Sequence, residues 1–358
     1  MPKSVFRPKN MINKGLMIVA LLATTSINAQ DVAPYAPGNA REGIVYYLPK
    51  TQIQVKVIAN KVIYTPGELC QYGERYLKLQ GISSQPKEYW EIQNILVKAI
   101  GVPDTSKAYT IKLKDKMVTS QVELTEDGII KAINTSSPHK PAADPLIQTQ
   151  DNKRTDPRHF MTEEMLMAGS TGKMAELIAK EIYNIRESKN SLTRGQADYM
   201  PQDGTALKIM LDNLEEQEKA FTEMFSGYTH KETKTFSFNI EPQSDINNQV
   251  VFRFSKKLGI LAKDNLAGEP IYISISDQHT SPTNTEEPKK KPAGIIYNIP
   301  GKAAVTVKSN NKKYFEGNML VTQFGETEVL TNSLFNQKVN TRVIFNPITG
   351  GISKIDKD

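Results

Sequence analysis

The residues of this chain best equipped for chemistry are scattered, and none of them forms a motif that fixes a reaction. Four histidines, His139, His159, His230 and His279, fall in stretches that read as loops or ends of elements. None stands at ligand spacing from another histidine, a cysteine or a carboxylate, so no metal and no cofactor is indicated. Cys70 is the only cysteine. It cannot form an intramolecular disulfide, and Gly67-Glu68-Leu69-Cys70-Gln71-Tyr72 reads as a strand that buries an inert thiol. Gly169-Ser170-Thr171-Gly172-Lys173 lacks the first glycine of a phosphate loop and reads as the start of a helix. There is no Gly-x-Ser-x-Gly elbow, and no catalytic residue is identified. The most compact polar group is Arg186-Glu187 with Asp198 and Asp203, around the join of two expected helices. These four form the candidate interaction surface; the plainer reading is that they cap helices and pair with each other. Tyr89-Trp90 is either a carbohydrate platform or core filling. Lys289-Lys290-Lys291 would either touch anionic headgroups or simply be solvated.

Around the four polar residues the apolar spacing is helical. Met174, Leu177, Ile178, Ile182 and Ile185 recur on one face behind Thr171, one plausible N-cap. Leu207, Met210, Leu211, Leu214, Phe221, Met224 and Phe225 make a second stripe, capped by Asp203 and stopped by Gly227. Arg194 through Gly204 joins them as an antiparallel helical hairpin. Asp212, Glu215, Glu216 and Glu218 then make a solvated acidic face.

On both sides of this hairpin the period is two. Ile53, Val55 and Val57 alternate with polar neighbours, as do Tyr109, Ile111 and Leu113, Phe236, Phe238 and Ile240, and Val305 and Val307. Val250–Phe254 and Ile271–Ile275 are further strands. Glu126-Asp127-Gly128 and Thr349-Gly350-Gly351 are hairpin turns. Pro49 and Pro300 should each end a strand or sit on an edge. The two β regions repeat each other: Gly43–Pro49 matches Gly294–Pro300, Tyr64–Gly67 matches Tyr314–Gly317, and Gln71–Glu74 matches Gln323–Glu326. Val118, Val122, Leu124 and Gly128 find counterparts in Val339, Val343, Phe345 and Gly350, as if the first copy held extra residues around 80–110. The expected fold is mainly β with an α insertion: two related β-sandwich- or barrel-like units from an internal duplication, separated by the helical hairpin.

The start of the chain is basic and then apolar. Lys3, Arg7, Lys9 and Lys14 precede an apolar run from Leu16 to Ala23, and small residues lead to an expected cut between Ala29 and Gln30. The run is too short to span a bilayer, so it reads as a removable signal. The chain has 45 Lys and Arg against 39 Asp and Glu, and removing these four bases leaves 41 against 39. No basic stripe remains to argue for nucleic acid. The expected order is a signal peptide over 1–29, an extended segment over 30–42 and a first β unit over 43–134. A linker over 135–160, the helical hairpin over 161–227 and a second β domain over 228–358, containing the repeat 294–356, follow. Cys70 is far from the cut and cannot be the lipid-accepting residue, so no lipoprotein is expected, and after signal removal no transmembrane segment. The protein is expected in the periplasm, at the outer membrane or outside the cell.

Tyr64-x-Pro66-Gly67 with Tyr72, Tyr76 and Leu77 resembles a family of exported proteins of unknown function from the Bacteroides group. Ile182-Tyr183-x-x-Arg186, Pro201-x-Asp203-Gly204 and Gly294-Ile295-x-Tyr297-x-Ile299-Pro300 share the resemblance, in order along the chain. It implies export in a Gram-negative envelope and carries over no catalytic residue. The expected function is a non-enzymatic binding or assembly module of the cell envelope, partnered by an envelope protein or glycan. The alternative is an envelope enzyme or ligand carrier that acts on a glycan or other polymer with dispersed carboxylates.

Overall fold

Apolar and polar residues alternate through 52–57, and the surrounding Ile44–Thr65 form one strand, β1, of 22 residues. The computed structural model describes residues 44–111, 121–138, 154–201, 203–280, 294–335 and 341–357. The expected signal, its cut at Ala29 and Gln30, the segment 30–42, Val118, His139, Lys289–Lys291 and Val339 lie outside the described residues. In chain order β1 is followed by α1 (Gly73–Leu77), β2 (Lys87–Ile111), β3 (Val122–Leu124), β4 (Ile130–Ile133) and α2 (Glu163–Leu166). Next come α3 (Thr171–Arg194), α4 (Gly204–Ser226), β5 (Tyr228–Ile240), β6 (Ile246–Ser255), β7 (Gly259–Leu261) and β8 (Glu269–Asp277). The last described strands are β9 (Gly294–Lys308), β10 (Lys313–Thr331), β11 (Thr341–Phe345) and β12 (Ile352–Lys357).

The protein is mainly β, with three antiparallel sheets and few helices. The sheet orders are β2-β1-β5, β10-β9-β8-β6-β7 and β12-β11-β4-β3. Strands from the two expected β regions are therefore shared: β5 pairs with β1, and β11 with β4. Ile53, Val55, Val57, Ile95 and Ile240 of the first sheet close on Val251, Phe252, Ile271, Ile273, Ile275, Val305 and Val307 of the second. Burying each such side chain contributes about 1.5–3 kcal/mol, which makes this interlayer the main source of β stability. A second core joins Tyr46, Leu48, Ile295 and Leu330 to Ile130, Ile133, Val343 and Phe345 of the third sheet. The third packs α3 and α4 on Leu69 and Leu77, beyond the far end of β1.

The hairpins β1/β2 and β9/β10 share two details. Between Tyr47 and Pro49 one residue of β1 faces 104–107 of β2, and between Ile299 and Gly301 one residue of β9 faces 322–325 of β10. Neither Pro49 nor Pro300 ends its strand; each sits at one of these bulges, where the missing N–H is tolerated. Tyr47 N–H donates to Gly128 O at 2.9 Å, and Asn298 N–H donates to Gly350 O at 3.2 Å. Both glycines have positive φ, 81° and 69°. The middle blocks of the sequence match are not equivalent: Cys70–Tyr72 is a 3₁₀ turn leading into α1, whereas Gln323–Glu326 belongs to the bulge and strand of β10. The 3₁₀ turn also replaces the strand expected around Cys70, because Leu69 turns inward to the helical core. Residues 87–111 are the partner strand of β1, so the first hairpin's added residues are 66–86, which contain α1.

The two hairpins meet at a buried polar node. Thr51 N–H donates to Thr322 Oγ1 (3.0 Å), Thr322 N–H returns the bond to Thr51 Oγ1 (3.1 Å), and Gln323 Nε2 donates to Thr51 O (2.8 Å). The Tyr46 hydroxyl donates to Ile296 O and accepts from Ile296 N, both at 2.9 Å, and burial pushes its phenol well above the usual range.

Candidate functional site

Ser170, one residue before the expected cap, holds the start of α3 by accepting from Lys173 N. Asp203 caps α4 as expected, accepting from Ala206 N at 2.7 Å. The joining loop returns the chain so that Ile178, Ile182 and Ile185 pack with Phe221, Met224 and Phe225. Only the last turns of α4 are buried. Leu214 packs part-buried against the helical core and Leu207 and Leu211 are half-buried, while Ile209 and Met210 are exposed, as are Tyr199 and Met200 of the loop.

Of the four candidate residues, Arg186 and Asp203 each take a partner outside the group. Arg186 Nε donates to Glu218 Oε1 at 2.6 Å, and Lys189 Nζ reaches the other oxygen at 3.1 Å. Burial pushes the Glu218 carboxyl up, but these two cations outweigh it and leave the group below the ordinary carboxylate range. Asp203 serves the helix end, while Glu187 and Asp198 are exposed. Glu218 was legible only as one acid of a solvated face, since nothing in its spacing points to a partner 32 residues earlier.

A cleft opens at the root of α4. In the β1–β5 register Ile63 faces His230 and Thr65 faces Tyr228, so all four side chains lie on one face of the sheet and make its floor. Glu215, Glu216, Lys219, Ala220 and Glu223 of α4 form one wall, and Arg154 and Thr155 the other. Its volume is about 750 Å³. A smaller space of about 380 Å³ continues past Gly67, Asp156 and Arg158. Arg154 stands between them: its guanidinium lies 4.0 Å from the centre of the Tyr228 ring, and its Nε donates to Glu223 at 3.0 Å. Thr155 Oγ1 donates to Glu216. The cleft thus offers carboxylates, hydroxyls, an imidazole and an aromatic edge, a donor set suited to hydroxyl-rich ligands. None of its residues was singled out as a site from the sequence, because they come from four separated stretches.

Trp90 is no open platform: its indole lies against Gly259, where an added Cβ would come within 2.9 Å of the ring. Among the described residues no group of three or more His, Cys, Asp or Glu is placed to hold a metal ion. Among them, too, no helix is long and apolar enough to cross a membrane.

Comparison with curated proteins and with solved structures gives no match. A family model described as a domain of unknown function (DUF4831) matches residues 42–353, which is most of the chain and takes in all three sheets and the helical hairpin. The chain belongs to that family.

Proposed function

We propose that this is an exported protein of a Bacteroides-group cell envelope that acts by binding or assembly rather than by catalysis. The observation that carries the reading is the exposure of Ile209 and Met210 on the first half of α4, with Tyr199 and Met200 exposed in the loop that leads into it. Exposed apolar side chains on a helix and the loop before it are what a protein partner covers. Export rests on the basic and apolar start of the chain, and a periplasmic, outer-membrane or external location follows from it. The β part reads as two related sandwich-like units from a tandem duplication. The bulges opposite Leu48 and Pro300, one position apart in the match, and the matched bonds to Gly128 and Gly350 support that descent.

Crosslinking in the native envelope followed by affinity recovery tests the binding reading. A reproducible protein partner that is lost with Ile209→Asp and Met210→Asp is the expected result. Recovery of the same partner by these variants sinks the role of the hairpin.

A second reading, an envelope enzyme or ligand carrier directed at glycans, is favoured by Glu215, Glu216 and Glu223 opening on one cleft. Glycan recovered with the parent chain but not with Glu216→Gln would turn attention there.

A further inference from the structure

One end of the five-stranded sheet presents two loops that are held stiff while leucines point out of them. The turn between β6 and β7 carries Lys256, Lys257 and Leu258, and the connection from β7 to β8 carries Lys263 and Leu266. Both lie at the same end, since Ser255 pairs with Gly259 and Phe254 with both Ile260 and Glu269. Leu258 is 52% exposed and Leu266 81%.

Neither exposure comes from a loose loop. Trp90 N–H donates to Lys256 O at 2.7 Å, and its indole packs on Gly259, so the first turn is braced from β2. Arg253 reaches over the second, donating to Lys263 O at 2.8 Å and to Gly268 O at 3.1 Å. Asn265 closes the tip by accepting from Ala267 N at 3.1 Å. A free leucine on a mobile loop would fold back onto the sheet. Here the backbone is fixed in a form that keeps it outward.

We propose that these two braced tips are a docking surface for an anionic lipid bilayer. Residues 256–268 hold three lysines and one acid, Asp264. Leucine side chains enter the acyl boundary while flanking lysines meet anionic headgroups, and such attachment needs both contributions to be stable. A protein partner would be matched by a broader apolar patch with a mixed rim. Two exposed leucines on loops that carry three lysines and one acid fit headgroups better.

The test is co-sedimentation of the purified chain, in the form the cell leaves it, with vesicles. Phosphatidylcholine alone is compared with phosphatidylcholine mixed with phosphatidylglycerol. Binding to the mixed vesicles, weakened by added salt, is expected. Leu266→Asp and Leu258→Asp should each lower the partition constant about tenfold. The Lys256→Glu, Lys257→Glu pair should lose the preference for anionic vesicles. Leu320→Asp, at an exposed leucine on β10, should bind as the parent does. No sedimentation of the parent overturns the proposal, and so does undiminished binding by the leucine variants. A parent that self-associates through Leu258 and Leu266 without binding vesicles overturns it as well.

Discussion

The side-chain amide of Asn298 lies 2.9 Å from the carbonyl oxygen of Pro49 and 3.0 Å from that of Thr349, and donates to both. It ties the β9 strand to β1 and to the β11–β12 turn where water does not reach. Asn298→Ala leaves two buried acceptors without a donor, and about 2 kcal/mol of stability should go with it. Urea unfolding should show a lower midpoint at an unchanged slope.

Glu218 makes the helical hairpin sensitive to acid. Its folded-state carboxyl sits below the ordinary value of 4.5, so the stability it contributes is fully present above that pH. That stability is lost as pH falls through the folded-state value. Glu218→Gln should flatten this part of the pH–stability curve between about pH 5 and pH 3. At pH 7 it should cost about 1 kcal/mol, since Arg186 and Lys189 are partly solvated.

Gly67 passes directly under the end of α4, where an added Cβ would stand 2.1 Å from Met224 O. The obstruction is backbone on both sides, and the neighbouring bond from Leu69 N to Met224 O (2.8 Å) keeps the two segments together. Gly67→Ala should therefore destabilise the protein by about 3 kcal/mol. Gly169→Ala, with no atom within 4 Å of the added carbon, should stay within about 0.5 kcal/mol of the parent. Thermal unfolding of the two variants side by side separates them.

Arg154 closes the cleft at one point without supporting the fold. Arg154→Ala removes its stacking on Tyr228 and its bond to Glu223, and the stability change should be about 1 kcal/mol. Backbone amides of 155–160 should exchange faster in this variant, while those of β1 keep their protection. Equal acceleration in β1 would show that Arg154 holds more than the wall of the cleft.

The sequence displayed what is local. The alternation at Ile53, Val55 and Val57, the turns at Gly128 and Gly350, and the Asp203 cap are each set by a few neighbours, and each is found in place. Pairings across long separations leave no such mark. Tyr228–Ile240 reads as a strand but does not announce that β1 is its partner, and Arg186 does not announce Glu218. The match of Gln71–Glu74 to Gln323–Glu326 misled because a polar-aromatic-glycine run serves a helix start and a bulge equally well. The cleft was hidden for the same reason as β5: its floor exists only once Tyr228 and His230 lie beside Thr65 and Ile63.

The pairing of β1 with β5 has a consequence for the order in which the chain can fold during synthesis. One edge of a strand about 70 Å long stays uncovered until residue 240 has emerged, and the facing sheet waits for β9 and β10. The third sheet waits longer still, for β11. Contacts this distant in sequence form slowly, and although the helical core can close once residue 225 is made, the two β cores cannot. A nascent chain of this design can settle its helical part early, and commits its β layers only near the end.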